Sequence, residues 1–140
     1  MRDLKEKAAD FFTLVVKNRQ LEAIEKYYYD HIRQVENYDD PIEGKELLYR
    51  REQENLANIT LLRTIVADVY YNVPRGTVMG EMFIEYETLS GDRYRLEEAF
   101  KQRWRYGMIV WQRFYYEKTI KIEATRNDRD DSLRHYRLPR

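Results

Sequence analysis

Apolar residues recur at steps of three and four near the start of the chain: Leu4, Ala8, Phe11, Phe12 and Val15, with Lys5, Asp10 and Lys17 on other faces. That period predicts a helix over residues 3 to 17. Lys17-Asn18-Arg19-Gln20 breaks it, and a second short helix follows with Leu21, Ile24 and Tyr28 on one stripe. Ile32 to Asn37 reads as a brief extended piece, and Tyr38-Asp39-Asp40-Pro41 as a loop, because the residue before a proline is pushed out of the helical region. A third helix is predicted from Gly44 to about Asn55, supported by Glu46–Arg50 and Arg50–Glu54 at i,i+4 and lying over the sheet edge with one side wet. After Asn58 the period shortens to two. Residues 59–71, 77–88, 93–104 and 108–117 read as four strands, separated by turns at Asn72 to Gly76, Ser90-Gly91-Asp92 and Arg105-Tyr106-Gly107. Long strands joined by tight turns make an antiparallel meander.

The third of these runs is the most informative. Tyr94, Leu96, Glu98, Phe100, Gln102 and Trp104 alternate onto one face, and Arg93, Arg95, Glu97, Ala99, Lys101 and Arg103 onto the other. The second face is charged and wet; the first is apolar but carries two polar side chains. Gly80, inside the second run, marks a bulge or bend. From about Ile122 the chain turns polar, so a domain over residues 1–121 is expected to end in a polar tail over 122–140, with a weak final segment around Leu133 to Leu138.

Length and composition narrow the function classes. The 140 residues suit one domain, large enough to bury a core without staples. There is no cysteine, which removes disulfides, thiolate nucleophiles and cysteine-type metal sites and fits a reducing compartment. Lys plus Arg total 25 and Asp plus Glu total 25, so no net charge steers the chain to nucleic acid or to an anionic membrane. The charged start lacks the apolar core of a signal peptide, and no window approaches a membrane span of about 20 apolar residues. The expected location is the cytoplasm. Tyrosine is unusually abundant, at 13 copies, and suits both sheet faces and half-polar pockets.

Strong catalytic motifs are absent: there is no phosphate-binding glycine loop, no G-x-S-x-G and no H-E-x-x-H. With His31 and His135 as the only histidines, no metal site is expected. What remains is carboxylates on apolar faces. A buried carboxylate is either paired or raised in pKa, and a raised one is a competent general acid or base. Glu36, in the short extended piece, and Glu98, two residues from Phe100, are the candidates. Pairing of Glu98 with Arg63 or Arg113, and capping of the following loop by Glu36, are the structural alternatives. Gln102 and Trp104 on the inner face, and Tyr28 in the Tyr27-Tyr28-Tyr29 run, are candidate pocket residues.

Several stretches carry a resemblance: Gln34-Val35-Glu36-Asn37 with Pro41 and Gly44 after it, Lys101 to Val110 (KQRWRYGMIV), and Arg113-Phe114-Tyr115-Tyr116. Together with the element order, over residues 5 to 117, they resemble the SnoaL-like branch of the nuclear transport factor 2-like superfamily, which includes polyketide cyclases and steroid isomerases. The resemblance implies an α+β fold with three N-terminal helices packed in a strongly curved antiparallel sheet, a conical roll around a deep, mainly apolar cavity. It also implies homodimers through the outer sheet face. The steroid isomerase base falls near Glu36, but its two oxyanion donors fall at Phe12 and Phe100, which cannot donate a hydrogen bond. The expectation is therefore a cyclase or isomerase for a small hydrophobic carbonyl compound, working without a cofactor. Glu36 and Glu98 would be catalytic, and Phe12, Tyr28, Phe100, Gln102 and Trp104 would line the pocket. The alternative is a binding or association module of the same fold.

Overall fold

The computed structural model describes residues 3–117 and 119–122. The chain runs α1 (Leu4–Val16), α2 (Gln20–Tyr27), β1 (Tyr28–Glu36), β2 (Ile42–Glu43), α3 (Lys45–Ala57), β3 (Ile59–Asn72), β4 (Thr77–Thr88), β5 (Arg93–Arg105), β6 (Met108–Tyr115) and β7 (Ile120–Ile122). Local chemistry sets the boundaries. The Asp3 carboxylate accepts from the Glu6 backbone N–H at 2.8 Å and caps α1. Asn18 leaves the helix with φ at +61°, and its side chain accepts from the Thr64 hydroxyl at 2.8 Å, tying the turn to β3. Tyr28, predicted on the stripe of the second helix, is instead the first residue of β1, and it is 8% exposed.

The four long strands form the antiparallel meander the alternation predicts, in the spatial order β2-β1-β6-β5-β4-β3. The short extended piece is longer than expected, and it joins the sheet by pairing parallel to β6, with Gln34 opposite Gln112 and Glu36 opposite Phe114. Parallel pairing across most of the chain length leaves no local signal, so the sheet is mixed where the alternation alone indicates an antiparallel one. β7 adds to the edge of β5 that β6 also occupies, nearer the start of β5, where Ile122 pairs with Arg93 and is 6% exposed. The strand thus reaches one residue into the expected tail. Residues 123–140, with the expected final segment and His135, lie outside the described residues. No helix among the described residues is long and apolar enough to cross a membrane.

Register shifts in β3 at Leu61/Arg63 and Ala67/Tyr70, and between β5 and β6 at Arg103/Trp104, bend the sheet around the helices. The core lies on the concave face, where Phe11, Phe12 and Val15 of α1 and Ile24 and Tyr27 of α2 meet Val78, Met82, Phe100, Trp104 and Ile109. Gly80 is not itself the bulge. It faces the bulged Asp68–Val69 segment of β3 and pairs with Phe100 of β5, whose ring occupies the space a side chain would need. A Cβ there would stand 2.8 Å from Phe100 Cζ and 3.2 Å from Val69 Cγ2.

Gly80→Ala is therefore expected to destabilise the fold by about 1–3 kcal/mol in urea titration, the usual range for overpacking. Adding Phe100→Leu should recover part of the loss; equal midpoints for wild type and Gly80→Ala would disprove the contact.

Candidate functional site

Between α3 and the concave face of β4–β6 lies a cavity of about 510 Å³ whose walls include Ile24, Leu48, Ile84, Leu96 and Phe114, with Tyr28, Glu36, Glu52, Glu98 and Tyr116 among them. It opens into a second chamber of about 360 Å³, and Tyr28, Glu52, Asn55, Ile84, Leu96, Glu98 and Phe114 face both. A larger, shallower depression of about 770 Å³ follows the β3–β4 turn between Arg75, Lys101, Arg103 and Arg105. It holds none of the carboxylates.

Of the residues singled out from sequence, Glu36, Glu98 and Tyr28 meet in the cavity. Phe12, Phe100, Gln102 and Trp104 do not line it. Phe12 and Phe100 pack against each other with ring centroids 5.3 Å apart, and Trp104 packs on Tyr27 at 5.6 Å. Gln102 is 2% exposed, and its Oε1 accepts from Trp104 Nε1 at 3.0 Å. Phe100, Gln102 and Trp104 share the inner face of β5 with Glu98, but their end of the roll is solid, because Gly80 lets the Phe100 ring approach β4 closely. The two phenylalanines at the steroid isomerase donor positions thus plug the space in which those donors would act. The lining is accordingly more polar than the resemblance implies.

A chain of hydrogen bonds crosses the β1–β6 seam. Tyr116 Oη donates to Glu36 Oε1 at 2.6 Å, and Gln34 Nε2 donates to Glu36 Oε2 at 2.9 Å. Gln112 Nε2 donates both to Gln34 Oε1 and to Tyr28 Oη, each at 2.7 Å. The direction of the chain is set at Glu36. A carboxylate only accepts, so Gln34 must turn its NH₂ towards it and its oxygen towards Gln112. Gln112 must then present its NH₂, and Tyr28 receives a hydrogen bond there. The Tyr28 hydroxyl hydrogen is left to point into the cavity. Asn37, with φ at +53°, brings Tyr116 into place: its N–H donates to the Phe114 carbonyl at 2.7 Å, and its Oδ1 accepts from the Tyr116 N–H at 2.8 Å.

The electrostatics separate the carboxyl groups. Among the described residues Glu98 has no cation or hydrogen-bond donor beside it. Arg113 lies on the outer face, stacked on Trp111 at 5.6 Å, and Arg63 pairs across from Glu85 on that same face. Burial, then the charges of Glu36 and Glu52, push the Glu98 carboxyl up to about 8. Burial also raises Glu52, partly offset by the Asn55 amide that donates to it at 3.3 Å. Burial keeps Tyr28 protonated well above its ordinary range, and the bond to Glu36 does the same for Tyr116. Among the described residues no group of three or more acidic or histidine side chains is placed to hold a metal ion.

The sequence reading missed Glu52, Gln34, Gln112 and Tyr116. Glu52 had a signal: Leu48, Glu52 and Leu56 recur at four-residue steps, which places an acid on the inward stripe of α3. Gln112 had a weaker one, since it alternates onto the same face as Phe114. Nothing local points to Tyr116, whose position depends on Asn37.

No family model matches the chain, and no curated protein matches it in sequence. Solved structures do match. A candidate SnoaL-like polyketide cyclase from Mesorhizobium loti is 25% identical at a TM-score of 0.72, over 82% of this chain and 100% of that one. A candidate isomerase from Bacillus subtilis is 21% identical at 0.70, over 83% and 90%. An epoxide hydrolase from M. tuberculosis, of the LEH-like kind, is 12% identical at 0.65, over 79% and 76%. At the lower identities the likeness is one of fold alone. The chain has the nuclear transport factor 2-like fold and resembles its SnoaL-like branch.

The Glu98 pKa carries a stability consequence. An unfolded Glu titrates near 4.3, so between about pH 5 and pH 8 the folded chain holds a proton that the unfolded chain has lost. Stability contributed by this group therefore falls as pH rises through that window, and it levels off above about 8. Glu98→Gln should flatten the slope, raising the melting temperature relative to wild type at about pH 9 more than at about pH 5. Parallel profiles for the two proteins would refute the assignment.

Proposed function

We propose that the chain is an isomerase or cyclase that acts by general acid–base chemistry on a small hydrophobic carbonyl compound. The single observation supporting this most strongly is the directed hydrogen-bond chain, which sets an acceptor, Glu36, and a donor, Tyr28, on the walls of one cavity. Glu36 takes a proton from the carbon beside the carbonyl, using carboxylate lone pairs that Tyr116 and Gln34 leave open. The carbon–hydrogen electron pair becomes the carbon–carbon double bond of an enolate, and negative charge gathers on the oxygen. Tyr28 Oη and the protonated Glu98 carboxyl donate to that oxygen and stabilise it in a desolvated site. Return of the proton at a different carbon completes an isomerisation; attack of the enolate carbon on a second carbonyl breaks that C=O π bond, and transfer of the proton held on Glu36 to the resulting alkoxide completes a cyclisation. The donors missing at Phe12 and Phe100 are thus replaced by donors nearer the mouth. If ligands bind without turnover, the non-catalytic reading, which those two phenylalanines favour, takes its place.

The test is exchange of α-hydrogens of cyclic and aliphatic ketones in deuterated water, followed by NMR. Glu36→Gln is expected to slow exchange by about a hundred- to ten-thousandfold, and Tyr28→Phe by about a hundredfold or more. The wild-type rate should fall as pH rises through about 8, where Glu98 loses its proton, and Glu98→Gln should lack that limb. Exchange that persists at the wild-type rate in Glu36→Gln would end this reading.

The outer sheet face supports a separate proposal, a homodimer. There the Arg103 guanidinium lies 5.0 Å and that of Arg113 5.6 Å from the Trp111 ring, beside Tyr115. Sedimentation at micromolar concentration should give twice the chain mass, and Trp111→Glu should give monomer; a monomeric wild type would refute the dimer.

A further inference from the structure

The two chambers differ in chemistry. The walls belonging only to the first include Gln34, Glu36, Arg51, Tyr116 and Thr119. Among the described residues, the walls belonging only to the second are Phe11, Val15, Leu56, Ile59, Leu61 and Met82, with Tyr86 and Gln20 beside them, and include no ionisable acid or base other than the tyrosine. Between them stands a waist carrying Tyr28 and Glu98. A compact carbonyl compound would need only the first chamber and the waist. The walls that only the second chamber of about 360 Å³ has are mainly apolar, and none of them takes part in the acid–base steps.

We infer that the ligand is an amphiphile: an oxygenated head at Glu36, Tyr28 and Glu98, and a hydrocarbon tail that passes the waist into the second chamber. The inference rests on the cavity reading above and narrows its substrate class. The walls grow more apolar from the first chamber to the second, and that matches a molecule polar at one end and apolar at the other. A small symmetric ketone would leave the second chamber's apolar surface uncovered. A tail buries it, and each buried methylene favours binding by a roughly constant step. Leu56, on the last turn of α3, and Ile59, at the start of β3, form one side of this chamber, so the α3–β3 junction sets the tail length it accepts.

The experiment is calorimetric titration of the full chain with straight-chain methyl ketones from hexanone to dodecanone. Affinity is expected to rise about fourfold per added methylene and then to plateau when the chamber is full. Leu56→Trp, and independently Ile59→Trp should one of the two fold poorly, should bring the plateau to shorter ketones than in the wild type. A flat series in the wild type, or an identical series in both tryptophan variants, would overturn the inference. The same titrations with Glu36→Gln separate it from the catalytic reading. A chain-length series kept in that variant supports the tail chamber even if α-hydrogen exchange is never found.

Discussion

The site depends on the parallel pairing of β1 with β6. These strands are separated by most of the chain, yet their register puts Gln34 opposite Gln112 and Glu36 opposite Phe114. A slip of β1 by one residue would turn Gln34 and Glu36 to the other face and dissolve the hydrogen-bond chain in a single step. The side chains also reinforce the register: the bonds that link Gln34, Gln112, Tyr28, Tyr116 and Glu36 across the seam form only in this alignment. Fold and site therefore share the same interactions, and the polar seam is a structural element as much as a chemical one.

A second balance governs the cavity. Glu36 accepts a hydrogen bond at each oxygen, whereas Glu98, on the facing wall, has no donor among the described residues. Burial opposes negative charge at Glu98, and the charges of Glu36 and Glu52 add to that opposition. Glu52 enlarges the effect from α3, with only the Asn55 amide in compensation. An apolar pocket with one acid would lack this division of labour. It arises because three acids on three separate elements converge on one space.

Much of this was legible in the chain. Hydrophobic alternation located all four long strands to within a few residues, because each is bounded by glycine, proline or asparagine turns. It also placed Glu98 on the inner face. What alternation cannot report is how far along a strand the interior stays hollow. Phe100, Gln102 and Trp104 have the same parity as Glu98 and were grouped with it, but the cavity ends where Gly80 lets aromatic rings close the space. The parallel partner of β1, and Tyr116, follow from contacts between distant segments, which periodicity does not encode. Glu52 was readable from the four-residue spacing of its helix and was passed over because the charged i,i+4 pairs beside it describe the wet side of the same element.

The glycine in β4 has a broader implication. In a roll of this kind, the depth at which polar chemistry can sit is an adjustable coordinate, and here one missing side chain sets it. With the closed end filled by rings, any reactive group must work closer to the mouth, within reach of the segment that follows β6. Changes at that glycine or at its aromatic partner would move the floor of the vessel without altering its walls. Two proteins could thus share a backbone, strand for strand, and still hold their reactions at different levels.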